Sequence, residues 1–255
     1  MAMIRFGNAV VLATVLLASP ALGFCDLDPG EAGRVVEIVD GETLTLDTGL
    51  TVRLIGATAP PPSGGGTRAA LAEIALGKPV RLFYGGRRRD RHGRALAHVF
   101  VTGEGGRLWV QGRLAETGLA LVYSFADNRA CVAELLAREA AARASRAGLW
   151  GEGVFAVADG LDLEALVAAD HRFRIVEGTV HAAAEARGRV YLNFEADWRR
   201  DFTVSVAPRD RRAFDKQGVD LLALAGRRIR VRGWIVRRNG PMIEADHAEQ
   251  VEMVE

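Results

Sequence analysis

Carboxylates and arginines carry the chemistry that this chain could do, and they are grouped in a few short stretches. Residues 36–43, VEIVDGET, place Asp40 and Glu42 at a turn between two alternating apolar runs. Paired carboxylates there offer oxygen donors to a hard cation such as Ca²⁺ or Mg²⁺, although D-G-E is more often a hairpin turn with solvated acids. Residues 52–60, VRLIGATAP, put Val52 and Leu54 on one face of a strand and Arg53 on the other, opposite a small barrel core. Residues 86–94, GRRRDRHGR, gather five arginines around Asp90 at what reads as a surface hairpin tip. A guanidinium fork grips two phosphate oxygens at once and stays charged, so Arg53 and Arg94 are suited to phosphate and the cluster to polyanions. Asp90 reads as the residue that holds the turn before Arg94, and His92 as an exposed loop histidine with no partner for proton transfer.

Further along, Arg228, Arg230 and Arg232 alternate with Ile229 and Val231, which makes one strand face basic and the other apolar. Trp234 continues the basic face if Gly233 introduces no bulge. A basic face with an aromatic ring is what an OB barrel needs to hold single-stranded DNA or RNA. Tyr123 and Phe125 offer further surfaces for stacking on a base, with capping of the barrel as the plainer role. Trp198, Asp201 and Phe202, in DWRRDF, read as a structural corner, since no nucleophile or ligand set accompanies them. The chain has no CxxC, HExxH, Walker loop or nucleophile elbow, which removes the usual alternative routes to hydrolysis.

The order VEIVDGET, VRLIGATAP and DRHGRALA, followed by the helix-closing Gly148-Leu149-Trp150, resembles the staphylococcal-nuclease (thermonuclease-like) family over residues 33 to 151. The resemblance implies a calcium-dependent nuclease scaffold in which Arg53 and Arg94 are the two phosphate-binding arginines. It also implies that Glu42 stands where an aspartate calcium ligand is usual, and that Tyr123 lies near the aromatics lining the cleft. Two positions depart from the pattern: Thr58 occupies the second acidic position and Pro61 that of the catalytic glutamate. A hard cation needs several negatively charged oxygens, so one glutamate and a neutral hydroxyl make a weak site for Ca²⁺, with Asp40 and Glu42 as its only carboxylates. In-line attack also needs a group that orients or deprotonates the water, and proline offers none. The expectation is a pseudoenzyme that binds nucleic acid or another phosphodiester or anionic ligand, with weak or no hydrolysis. The alternatives are a working metal-dependent nuclease and a periplasmic protein-interaction module.

The elements that must position these residues read as mainly β with α. A hairpin over 34–46, strands over 52–56, 79–84 and 94–101, and helices over 67–76, 109–117 and 129–144 make a five-stranded OB-fold barrel with packed helices. Strands over 174–181, 189–194 and 201–206, a helix over 209–223, and strands over 228–236 and 241–251 make a second, OB-like barrel. Segments YLNFEADWRRDFTV, RVRGW and GPMIE resemble the OB-type tail of some exported bacterial members of the family. The domain reading is a signal peptide at 1–23, a nuclease-like domain at 24–152, a linker at 153–170 and an OB-like domain at 171–255.

The signal peptide rests on Arg5, an apolar run over 9–18, and Ala21-Leu22-Gly23 as a small-x-small exit. It points to a periplasmic or secreted protein. The apolar run is shorter than a membrane span and Pro20 interrupts it, so no span is expected after cleavage. Export would leave Cys25 and Cys131 as an even pair, read as one disulfide, with two unpaired thiols as the alternative. Of 255 residues 49% are apolar and the net charge is +1, so attraction to nucleic acid must come from local patches.

Overall fold

The computed structural model describes residues 25–59, 64–103 and 106–254. The expected signal peptide and Pro61 lie outside the described residues. The first half of the chain runs β1 (Asp28–Ile38), β2 (Thr43–Leu46), β3 (Thr51–Leu54), β4 (Gly56–Thr58), α1 (Gly64–Ala75), β5 (Pro79–Tyr84), β6 (Ala95–Gly103), β7 (Gly106–Trp109), α2 (Val110–Glu116), β8 (Leu121–Tyr123) and α3 (Val132–Ala144). β1 pairs with both β2 and β5, β2 with β3, and β5 with β6. A parallel pairing of β3 with β6 then closes five strands into a barrel. Alternation drives it: Val52, Leu54, Val80, Leu82 and Val99 are each at most 1% exposed and fill the interior. Gly56, at φ +84°, lets the chain leave β3 for β4, and a side chain there would collide with Leu135.

The second half runs β9 (Val157–Asp159), α4 (Leu163–Ala168), β10 (Phe173–Thr179), β11 (Ala182–Ala186), β12 (Arg189–Asn193), β13 (Thr203–Val206), α5 (Arg211–Asp215), β14 (Arg228–Arg238), β15 (Gly240–Ala245) and β16 (Val251–Met253). β10 and β11 act as the halves of one bent strand. β10 pairs with β14, β14 with β15, β15 in parallel with β13, β13 with β12, and β12 with β11. Counting that bent strand as one, the order repeats the connectivity of the first barrel, including the parallel pair, and is that of an OB-like sheet around one core.

Several boundaries differ from the sequence reading, each for a local reason. The helix over 209–223 contracts to α5, and Asp220 instead caps a short 3₁₀ turn by accepting the Leu222 and Ala223 N–H groups. The last long strand breaks after Ala245, where the Gln250 side chain takes the Asp246 N–H and donates to the Arg232 carbonyl. Stretch 153–170 carries α4 and also β9, which pairs in parallel with β10. One hydrophobic cluster joins Leu121, Leu149, Trp150 and Phe155 to Phe173 and Ile175, so the two sheets share a packed junction.

His98 of β6 is 1% exposed beside Trp109, with ring centroids 5.5 Å apart and no well-formed hydrogen bond to either ring nitrogen among the described residues. Burial pulls its pKa from 6.5 to about 4, and the nearby Ala130 backbone offsets only part of this. The folded state thus refuses a proton that the unfolded chain accepts. Stability is intact above the unfolded value and falls as pH drops from about 6.5 through about 4, by roughly 3 kcal/mol from this residue. Urea midpoints at pH 7.5 and pH 4.5 should converge in His98→Leu by most of that amount relative to the parent; equal pH sensitivity in both would sink the assignment.

Candidate nucleic-acid cleft

Arg53 points away from the barrel interior because Val52 and Leu54 occupy it. Its Nη2 lies 2.9 Å from Glu42 Oε1 on the neighbouring strand connection, where β2 and β3 pair Thr43 with Arg53. Glu42 Oε2 is buried with no hydrogen-bond partner among the described residues. Asp40 is engaged at the turn itself. Its Oδ1 accepts the Glu42 N–H at 2.8 Å, so it shapes the turn.

Arg94 is placed by Asp90. One carboxylate oxygen accepts the backbone N–H groups of His92 and Arg94, and the other accepts Arg94 Nε at 2.7 Å. Partial burial opposes the Asp90 charge, but the hydrogen bonds from Arg94 and His92 outweigh it and hold the carboxyl below its usual range. Most of the remaining arginine cluster is also paired: Arg87 with Asp127, Arg88 with Asp28, and Arg89 with Glu31.

These residues converge on a cleft of about 460 Å³ lined by Arg53, Arg91, Arg94, Tyr123, Phe125 and Trp234, among others. Tyr123 sits on β8 opposite Gly56, and its ring meets Phe125 at 4.6 Å and Trp234 at 6.3 Å between centroids. Burial pushes the Tyr123 phenol up, with Trp234 and Arg53 opposing. Trp234 is 42% exposed and comes from β14 of the second sheet, so both halves of the chain build one cleft. Guanidiniums beside open aromatic faces can hold a phosphate and stack a base.

The rest of the basic strand does something else. Arg232 is 1% exposed and forms a two-point pair with Glu139 of α3, at 3.1 and 2.8 Å, while also reaching Glu252 at 2.6 Å. Arg228 and Arg230 pair with Glu177. The expected nucleic-acid face is therefore corrected for Arg232: it is enclosed at the junction, because an outward barrel face is free only where nothing docks on it. Trp234 alone of that set reaches the cleft.

Glu139 is the buried partner of Arg232 that sequence reasoning missed. It stands on the stripe Val132, Leu135, Glu139 and Ala142 that α3 buries, so a carboxylate in an apolar helical stripe was the available signal. Its Oε1 also accepts the Val122 N–H at 2.7 Å, while Arg232 donates to the Val122 carbonyl at 3.0 Å. A second missed set is Ser124 Oγ, 2.7 Å from His247 Nε2, with Asp246 on the other ring nitrogen. This order resembles a nucleophile relay, but Ser124 is 3% and His247 1% exposed, which leaves it a junction tie. Thr58 lies in β4 opposite Leu121, 4% exposed.

The family profile described as staphylococcal nuclease homologue matches residues 52–152. An uncharacterized protein of Bacillus anthracis is 32% identical over 132 residues, which cover 46% of this chain and 60% of that protein. Protein ParB of Escherichia coli is 33% identical over 155 residues, which cover 56% of this chain and 82% of ParB. The chain thus spans about three fifths of the first relative and most of the second. Family and geometry support a nuclease-family or nucleic-acid-binding function. With its profile match, its ParB similarity and its closed five-stranded barrel, the chain belongs to the staphylococcal nuclease homologue family.

Proposed function

We propose that the cleft binds single-stranded nucleic acid, with Arg53 and Arg94 on phosphate and Tyr123 and Trp234 stacking on bases, and that it hydrolyses phosphodiesters weakly or not at all. The observation that carries this reading is the convergence of these four side chains, drawn from both sheets, on one cleft. In the family, calcium supplies charge for the attack on phosphorus. The donor set here does not fit that ion: Glu42 gives one oxygen to Arg53, Asp40 turns to the backbone, and Thr58 is neutral. Among the described residues, no three His, Cys, Asp or Glu side chains converge to hold a metal. Neither Arg53 nor Arg94 can activate a water, because a guanidinium stays protonated; they orient phosphate. Glu42 Oε2, buried without a hydrogen-bond partner among the described residues, is the observation that favours the second reading, a metal-dependent nuclease with a rearranged shell.

The protein would act outside the cytoplasm, where the Cys25–Cys131 disulfide persists. The test is binding and cleavage of single-stranded DNA and RNA, with calcium and with a chelator. The expected result is salt-sensitive binding without cleavage. Arg94→Ala should weaken binding by about tenfold or more, as loss of a charge-assisted contact does. Chelator-sensitive cleavage that disappears in Arg94→Ala would establish the nuclease reading instead, and no binding at low salt would end both.

A further inference from the structure

The outward face of the second sheet continues beyond the cleft. Residues opposed across a ladder share a face, and successive side chains on a strand alternate. Val236 opposes Met242, Met242 opposes Thr203, and Thr203 opposes Asn193, so Trp234 and Arg238 of β14 lie on the same side as Met242, Asn193 and Tyr191. A second cavity of about 370 Å³ opens there, lined by Tyr191, Asn193, Trp198, Arg238 and Met242 together with Ala184 and Ala186. The alanines of β11 explain the room: Ala184 stands opposite Tyr191, where a larger side chain would fill the space.

Trp198 is 49% exposed, and the Arg199 guanidinium lies 4.3 Å from its ring centroid. Gly240 has no space for a side chain against the Arg200 and Asp201 carbonyls, so the β14–β15 turn presses on that segment. This contact brings the segment that carries Arg199 and Arg200 against the end of β14 that carries Arg238. Among the described residues no carboxylate pairs with Arg199 or Arg200, whereas Arg238, which lines the cavity, pairs with Glu244 at 3.5 Å, and Arg53, Arg87 and Arg94 in the cleft each have a partner too. Uncompensated guanidiniums around an open indole suit a phosphate chain with bases attached.

We propose that this cavity is a second base-binding subsite for single-stranded nucleic acid. A base stacks on Trp198, the Asn193 amide meets its edge, and the arginines hold the flanking phosphates. One strand then occupies both the cleft and this cavity, along a face of β14 that runs roughly 13 Å from Trp234 to Arg238. The inference rests on the nucleic-acid reading of the cleft and adds a length requirement to it, of about four nucleotides or more, within what one OB barrel covers.

The test is fluorescence anisotropy of the full chain with an oligothymidylate dinucleotide and a dodecanucleotide. Trp198→Ala should weaken the dodecanucleotide about tenfold and leave the dinucleotide unchanged, with Trp198→Phe restoring most of the loss. Arg199→Ala with Arg200→Ala should flatten the salt dependence for the dodecanucleotide by about one unit of slope. Arg94→Ala should weaken both. If the parent binds both lengths equally and Trp198→Ala changes neither, the subsite is refuted while the cleft stands. If the parent binds neither oligonucleotide, both readings fall together.

Discussion

Arg232→Met should lower the unfolding free energy by about 3–5 kcal/mol, the range for breaking a buried ion pair from one side. The variant leaves the Glu139 carboxylate, 0% exposed, with Arg143 at 3.7 Å as its remaining cation among the described residues. It also strips the Val122 carbonyl of its donor. For a chain of this size the melting temperature should fall by on the order of 10 °C. Replacing both partners by apolar residues often restores stability elsewhere, because it removes two costly desolvations at once. Here Glu139→Leu combined with Arg232→Met should recover only part of the loss, since the N–H and C=O of Val122 would both be orphaned, at about 1–3 kcal/mol each. Urea midpoints at unchanged slope would measure it. A loss under about 1 kcal/mol in the single variant would mean that Arg232 is solvated in solution.

Cys131→Ser should cost about 4–5 kcal/mol, the chain-entropy value for releasing a loop of this order. The bond ties Cys25, just ahead of β1, to the residue that opens α3, with a sequence separation of 106. Both cysteines belong to one apolar cluster with Phe83, Phe100 and Val132, so the native packing stays largely in place when the bond is lost and the effect falls on the unfolded chain. The parent protein in reductant should unfold at the same urea concentration as the oxygen-for-sulfur variant. A difference under about 1 kcal/mol between oxidised and reduced parent would show that the bond is absent or strained in solution.

The first barrel was legible because its strands alternate cleanly, with Val52 and Leu54 inward and Arg53 outward, and because Asp90 announces the turn that presents Arg94. β14 was legible as a strand over nearly its full length, yet its surroundings were not. Periodicity tells which side chains share a face and is silent about what covers it, so Arg228, Arg230 and Arg232 looked solvated while Arg232 is enclosed by α3. Trp234 was read on that same face and does reach a ligand-sized cleft, though one completed by β3 and β8. β11 was missed because AAAEA has little strand propensity and forms only by pairing with β12. Trp198 was read as a corner, since a cavity made by small neighbours across a ladder leaves no mark in the local sequence.

β14 has one half clamped to α3 through Arg232 and the other half carrying Trp234 to the cleft. Any hinge that swung the two sheets apart would drag a paired charge out of its enclosure, at a cost comparable to much of the stability of a fold. The groove is therefore preorganised rather than closed by its ligand. On the single-strand reading proposed for it, entry is a matter of threading, and a flexible strand can adapt to a fixed groove where a stiff duplex cannot.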